Sequence, residues 1–164
     1  MDPRTLSREL RTDRSPDIRR RRAQVGLNLA CMAIGGVVAA YQTGIIRHLP
    51  DPPVGPFDSD RVDASAYAYK RAETPDGLLM ALTYAASAVL AGAGGADRAR
   101  RRPWLPILSA AKAAYDLQTC VKLAREEWHE NRALCAWCQG ASALTAVSAA
   151  LSLPEAARAA RALG

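Results

Sequence analysis

The chain has 164 residues, enough for one domain with its own core and too few for several. Only 5% of the residues are aromatic and the basic residues fall in blocks between apolar runs, so a net charge of +6 does not by itself describe a nucleic-acid-binding face, and no nucleic-acid partner is expected. Four cysteines are far too few for a disulfide-built secreted scaffold.

A mean hydropathy of -0.11 conceals how unevenly the charge is placed. Residues 1–22 (MDPRTLSRELRTDRSPDIRRRR) are polar and basic and lack the short apolar core of a signal peptide, which predicts a cytoplasmic arm. Residues 23–46 then carry no charge. A helix of that length crosses a hydrocarbon layer roughly 30 Å thick. Its small residues, among them Gly26, Gly35, Gly36 and Ala39, suit close helix packing in lipid. A second uncharged run, residues 77–96, follows Thr74-Pro75-Asp76, where an early proline and an acid near the positive end of the dipole start a helix. The third, residues 104–123, contains Lys112, Asp116 and Lys122. A charge at mid-bilayer costs at least about 2.5 kcal/mol, so this helix must face partners or water, and Lys112 and Asp116 are four apart and can pair. The fourth run, residues 133–153, is expected to end at Pro154. The expected fold is all-α, a four-helix transmembrane bundle over residues 23–155 with a short cytoplasmic tail at 156–164. A surface helix of a soluble bundle is the competing reading of the third run.

Loop charge sets the expected orientation. The arginine-rich arm and the loop at 97–102 belong in the cytoplasm, while the acidic segments 47–76 and 125–132 belong outside. Both termini are then cytoplasmic in a multi-pass protein of the cell (inner) membrane. The pair Cys135-Ala-Trp-Cys138 falls at the outer end of the fourth helix. Spacing of three puts both sulfurs on one side of a helix. With Asn131 as the expected N-cap, Cys135 lies within the first turn, where the helix dipole stabilises a thiolate. That describes a redox-active disulfide centre; two inert buried cysteines are the alternative. No zinc-type set accompanies the pair, because His48 and His129 are scattered and Cys31 and Cys120 are isolated inside predicted spans, so no metal is expected. Trp137 reads as an interfacial anchor or as a wall of an aromatic ligand pocket.

Four hydrophobic helices with CxxC at the outer start of the last resemble the vitamin K epoxide reductase family. The stretch from Ser65 to Tyr84 (SAYAYKRAETPDGLLMALTY) is similar to the family's serine and aromatic, polar helix start and small-residue helix with a tyrosine. The YQTGIIRHLPDPP segment resembles a bacterial subgroup, and the likeness covers roughly residues 24–155. The resemblance implies a quinone, of ubiquinone or menaquinone type, held among the helices as substrate. It implies that Cys138 faces the quinone and Cys135 exchanges with a thiol donor. Ser65 matches the family's serine at the outer end of the second-helix region, and Asp76 stands where vertebrate members place a quinone-contacting asparagine. Ser142 stands where those members have a quinone-contacting tyrosine. Ser65, Asp76, Tyr84, Trp137 and Ser142 are therefore the candidate quinone-binding residues.

One departure bears on mechanism. Family members that relay electrons internally carry a loop cysteine pair upstream of the serine, whereas here the loop has none, and Ser59 stands about where the nearer one would be. A thioredoxin-like or other thiol protein outside the membrane must then reach Cys135 directly. The expected function is a membrane thiol:quinone oxidoreductase. The alternative is a non-catalytic membrane protein that keeps the fold for partner or lipid interaction.

Overall fold

The computed structural model describes residues 2–163, and every regular element among them is helical. The expected all-α class holds. In chain order the elements are α1 (Pro3–Thr12), α2 (Pro16–Gln42), α3 (Ser59–Asp63), a 3-10 turn (Ala66–Tyr69), α4 (Asp76–Gly92), α5 (Arg98–Arg101), α6 (Trp104–Asn131) and α7 (Ala136–Arg161).

Helix α2 starts where local chemistry dictates: Ser15 accepts a hydrogen bond from the Ile18 amide, Pro16 fills the first helical position and Asp17 lies in the first turn. It therefore begins inside the basic arm, seven residues before the first uncharged run. Helix α4 begins at Asp76 after Pro75, as its sequence predicts. Helices α2, α4, α6 and α7 form the bundle, with α2 packed along α4 and α7, α6 along α7, and α4 meeting α6 less closely. The tight α2–α4 contact requires glycine. A Cβ on Gly35 would stand 2.8 Å from the Ala81 amide nitrogen, and one on Gly77 would stand 2.5 Å from that of Ala39. Small residues let the two backbones touch.

Two boundaries differ from expectation. Asn131 is the last residue of α6 rather than the N-cap of α7; Arg132 turns the chain in the left-handed region at φ 53°, and Cys135 itself caps α7, its Sγ accepting from the Cys138 amide at 3.2 Å. The acidic segment after residue 123 is thus two further turns of helix. Pro154 does not end α7, which continues to Arg161. The extra turns are held by Glu155, which pairs with Arg98, and by Arg158, which pairs with Asp17.

Arg98, counted in the sequence with the loop charges, is not a solvated one. It is buried (1% exposed) and forks onto Glu155 (3%), with Nε to Oε1 at 2.9 Å and Nη2 to Oε2 at 2.7 Å. Its Nη1 donates to the Leu90, Ala91 and Ala93 carbonyls, and Arg21 donates to the carbonyls of residues 91–95. Two arginines thereby satisfy the orphan carbonyls at the C-terminal end of α4. The same end of the bundle gathers α1, through Glu9 accepting from the Ala96 amide, and the tail, through Arg158 on Asp17. The CxxC and loop 43–75 lie at the opposite end.

Among the described residues, α2 is the one helix with both the length and the apolarity to cross a membrane, and α4 is a shorter apolar helix. Polarity within the bundle is inverted relative to a water-soluble protein. Gln24, Asn28, Ser87, Asp116, Thr145 and Ser148 are buried, whereas Leu82, Val89, Tyr115 and Val147 face outward, Leu82 being 70% exposed.

Candidate functional site

The corner between α6 and α7 builds the site. Residue 134 pairs with the loop through two backbone bonds, Leu134 N to Pro56 O at 2.9 Å and Asp58 N to Leu134 O at 3.1 Å. This brings α3 over the start of α7. Ser59 is central to the junction: Asp51 accepts from its amide and its hydroxyl, both at 2.6 Å, and its Oγ accepts from the Ala136 amide at 3.0 Å. Ser59 thus sits on the first turn of the CxxC helix. A cysteine there would lie beside Cys135. In a Cys138→Ala background, Ser59→Cys is expected to give an intramolecular disulfide with Cys135 on mild oxidation, read by mass spectrometry of a linked peptide. Failure to cross-link would contradict this juxtaposition.

Cys135 has no exposed surface (0%) and is packed by Val62, Tyr67 and Ala133. Cys138, one helical turn on, is half-buried and opens toward a cavity of about 260 Å³ between α4, α6 and α7. Both thiols are free. One atom each of Asp63, Cys135 and Cys138 lies within 4.8 Å of the others. Three donors are one short of a closed zinc site. Two sulfurs this close, on neighbouring turns, reach disulfide geometry by side-chain rotation.

The cavity is apolar along Leu79, Met80 and Leu123 and polar at both ends. Arg71, Asp76, Glu127 and Gln139 line the end near the CxxC, and Thr83 and Asp116 the far end. Arg71 pairs with Glu126 at 2.8 Å, and Asp76 accepts from Gln42 Nε2 at 2.6 Å. Glu127 accepts from the Cys135 amide at 3.3 Å and from Gln139 Nε2 at 3.2 Å; burial nevertheless pushes its carboxyl up to about 7. Lys112 and Asp116 pair as expected, Nζ to Oδ1 at 2.6 Å, with Ser87 and Thr83 completing the ammonium's partners.

The candidate quinone residues divide. Asp76, Tyr84 and Ser142 line the cavity with Cys138. Tyr84 shares a 2.6 Å hydrogen bond with Thr145 and stands 3.6 Å from Cys120, while Ser142 donates to the Cys138 carbonyl at 2.8 Å. Ser65 and Trp137 lie outside the lining. Ser65 donates to the Val62 carbonyl at 2.6 Å, and Trp137 Nε1 donates to the Pro50 carbonyl at 3.1 Å, tying the proline-rich loop to α7. Sequence reasoning did not single out Asp63 or Glu127 as site residues. Nothing local marks them among the other acids, and only the fold carries them to the cysteines.

The vitamin K epoxide reductase family model matches residues 23–153, most of the chain, and the protein belongs to that family. The family is one of membrane oxidoreductases that couple thiol/disulfide exchange to quinones. No curated relative and no solved structure matches the chain.

Proposed function

We propose that this protein is a thiol:quinone oxidoreductase of the cell membrane in which Cys135 and Cys138 form the redox centre. The observation that carries the reading is the asymmetry of the pair: Cys138 opens on a largely apolar cavity, and Cys135 lies under the external loop. Two electrons leave the dithiol, the Sγ–Sγ bond forms, and the electrons with two protons reduce the quinone to the quinol. Glu127, beside both the cavity and the Cys135 amide, is placed to handle one of those protons. A thiol partner outside the membrane then reduces the disulfide, because this chain has no cysteine in its loop to do so.

Four membrane crossings, at about 23–46, 77–96, 104–123 and 133–153, fit the inverted polarity of the bundle. An even number of crossings also fits the meeting of the N-terminal arm and the tail at one end, away from the CxxC. The purified protein in detergent is expected to catalyse oxidation of dithiothreitol by a menaquinone or ubiquinone analogue, followed by quinone absorbance. Absence of any rate above the uncatalysed reaction would overturn the reading.

A further inference from the structure

We infer that Asp63, Cys135 and Cys138 form a binding site for a thiophilic divalent cation of the zinc class, and that the cation holds the cysteine pair in its reduced form. The site stands on geometry alone; its consequence for turnover rests on the pair being the redox centre. One oxygen of Asp63 and the two sulfurs all lie within 4.8 Å of one another. A second observation, separate from that spacing, points to a ligand. Asp63 is 1% exposed and its Oδ2 is buried without a hydrogen-bond partner, so the desolvation of that oxygen goes uncompensated. The groups that bear on its carboxyl most, Cys135, Asp76 and Asp51, all titrate to negative charge. Burial and these neighbours push the carboxyl up to about 10; without metal it keeps a proton, which a cation displaces on binding.

The distances suit the ion. Zinc bonds of about 2.3 Å to sulfur and 2.0–2.2 Å to oxygen set tetrahedral ligand atoms roughly 3.6–3.8 Å apart, so the three must close by about 1 Å. Side-chain rotation supplies that. Cys135 Sγ already accepts from the Cys138 amide at 3.2 Å at the N-terminus of α7, the kind of backbone support a metal-bound thiolate receives. Two thiolates select zinc-like ions over Mg²⁺ and Ca²⁺, which take oxygen ligands. Three protein ligands leave the fourth position to water from the cavity. The ion enters on that side. Cys138 lines the cavity with Arg71, whose side chain is 30% exposed, and Cys135 and Asp63 lie behind it and need no solvent contact of their own.

Only the dithiol binds the ion, because a disulfide has no thiolate to offer. Bound metal therefore occupies both sulfurs at once and withholds Cys138 from the cavity. The spacing of the cysteines gave no sign of the third ligand; α3, carried over the start of α7 by the loop, brings it there.

The test uses the full-length protein without an affinity tag, in detergent, reduced with a phosphine, freed of reductant and titrated with Co²⁺ and then Zn²⁺. One Co²⁺ per chain is expected, with a thiolate-to-metal charge-transfer band that Zn²⁺ abolishes. Cys138→Ala is expected to lose the site, and Asp63→Asn to weaken it on the order of 10²-fold. A full-strength band in Cys138→Ala, or equal affinity in Asp63→Asn, would overturn the proposal. So would binding without a thiolate band, the mark of an adventitious ion only. Should the variants not fold, X-ray absorption of the zinc-loaded wild type decides: two sulfurs at about 2.3 Å with oxygen or nitrogen completing the shell support the site, and a shell of oxygen and nitrogen alone refutes it. No quinone enters these measurements, so a wild type that fails to reduce quinone still reports on the site. At free Zn²⁺ about ten times the measured Kd, diamide oxidation of the pair is expected to slow roughly tenfold, since only metal-free protein reacts, and a chelator is expected to restore it. An unchanged rate would refute the claim that the ion holds the pair reduced.

Discussion

Cys138→Ala is expected to bring quinone-linked oxidation of dithiothreitol down by on the order of 10³-fold or more, to the uncatalysed rate. The size of the effect follows from electron counting. A single remaining thiol cannot supply two electrons to a quinone without leaving a radical or an intermolecular bond. Substrate binding elsewhere in the cavity would survive, because Leu79, Met80 and Leu123 still line it. The replacement shortens the side chain by one sulfur at a half-buried position, so insertion and folding should persist. Cys135→Ala should be as inactive but for a different reason: Cys138 could still meet quinone, yet the sulfur on the loop side that exchanges with the donor would be missing. Turnover in Cys138→Ala at the wild-type rate would show that the chemistry lies elsewhere.

Glu155→Ala is expected to destabilise the protein by roughly 3–5 kcal/mol, the usual consequence of stranding one partner of a buried ion pair. Arg98 would keep its charge with almost no exposed surface. It would also lose its two-pronged anchor while still having to cap the carbonyls of α4. The end of the bundle opposite the CxxC is therefore expected to loosen first, with α5 and the last two turns of α7 becoming protease-sensitive. Replacing the pair together, Arg98→Met with Glu155→Leu, should recover part of the loss, because no unpaired charge remains; the carbonyls capped by Arg98 would still be short of donors. Thermal unfolding in detergent checks both. A loss under about 1 kcal/mol in the single variant would contradict the buried pairing, since that is the range of exposed ion pairs.

Long uncharged runs and the CxxC were readable directly, because chain length against bilayer thickness and a three-residue spacing are local properties. So was the Lys112–Asp116 pair, which depends on helix periodicity alone. The α6–α7 corner was not. Asn131 has the better capping side chain by ordinary preference, but the cap is the Cys135 sulfur, and the turn is made by Arg132 at positive φ. Pro154 read as a stop because proline removes one helix hydrogen bond. Distant partners, Arg98 and Asp17, hold the helix beyond it. Arg21 and Arg98 counted as loop charges in the sequence, and only packing reveals them as buried caps. The convergence of Ser59, Asp63 and Glu127 on the cysteines joins residues up to 76 positions apart in the case of Ser59 and Cys135, which no local pattern encodes.

The central claim is that Cys135 and Cys138 exchange electrons with quinone, and their redox state in membranes tests it most directly. Membranes containing the protein are reduced, washed free of reductant, incubated with or without a menaquinone or ubiquinone analogue under anaerobic conditions, and then tagged with a maleimide and digested. Added quinone is expected to convert the Cys135–Cys138 dithiol to the disulfide, protecting both residues from the tag while leaving the labelling of Cys31 and Cys120 unchanged. Equal labelling of Cys135 and Cys138 with and without quinone would contradict the account.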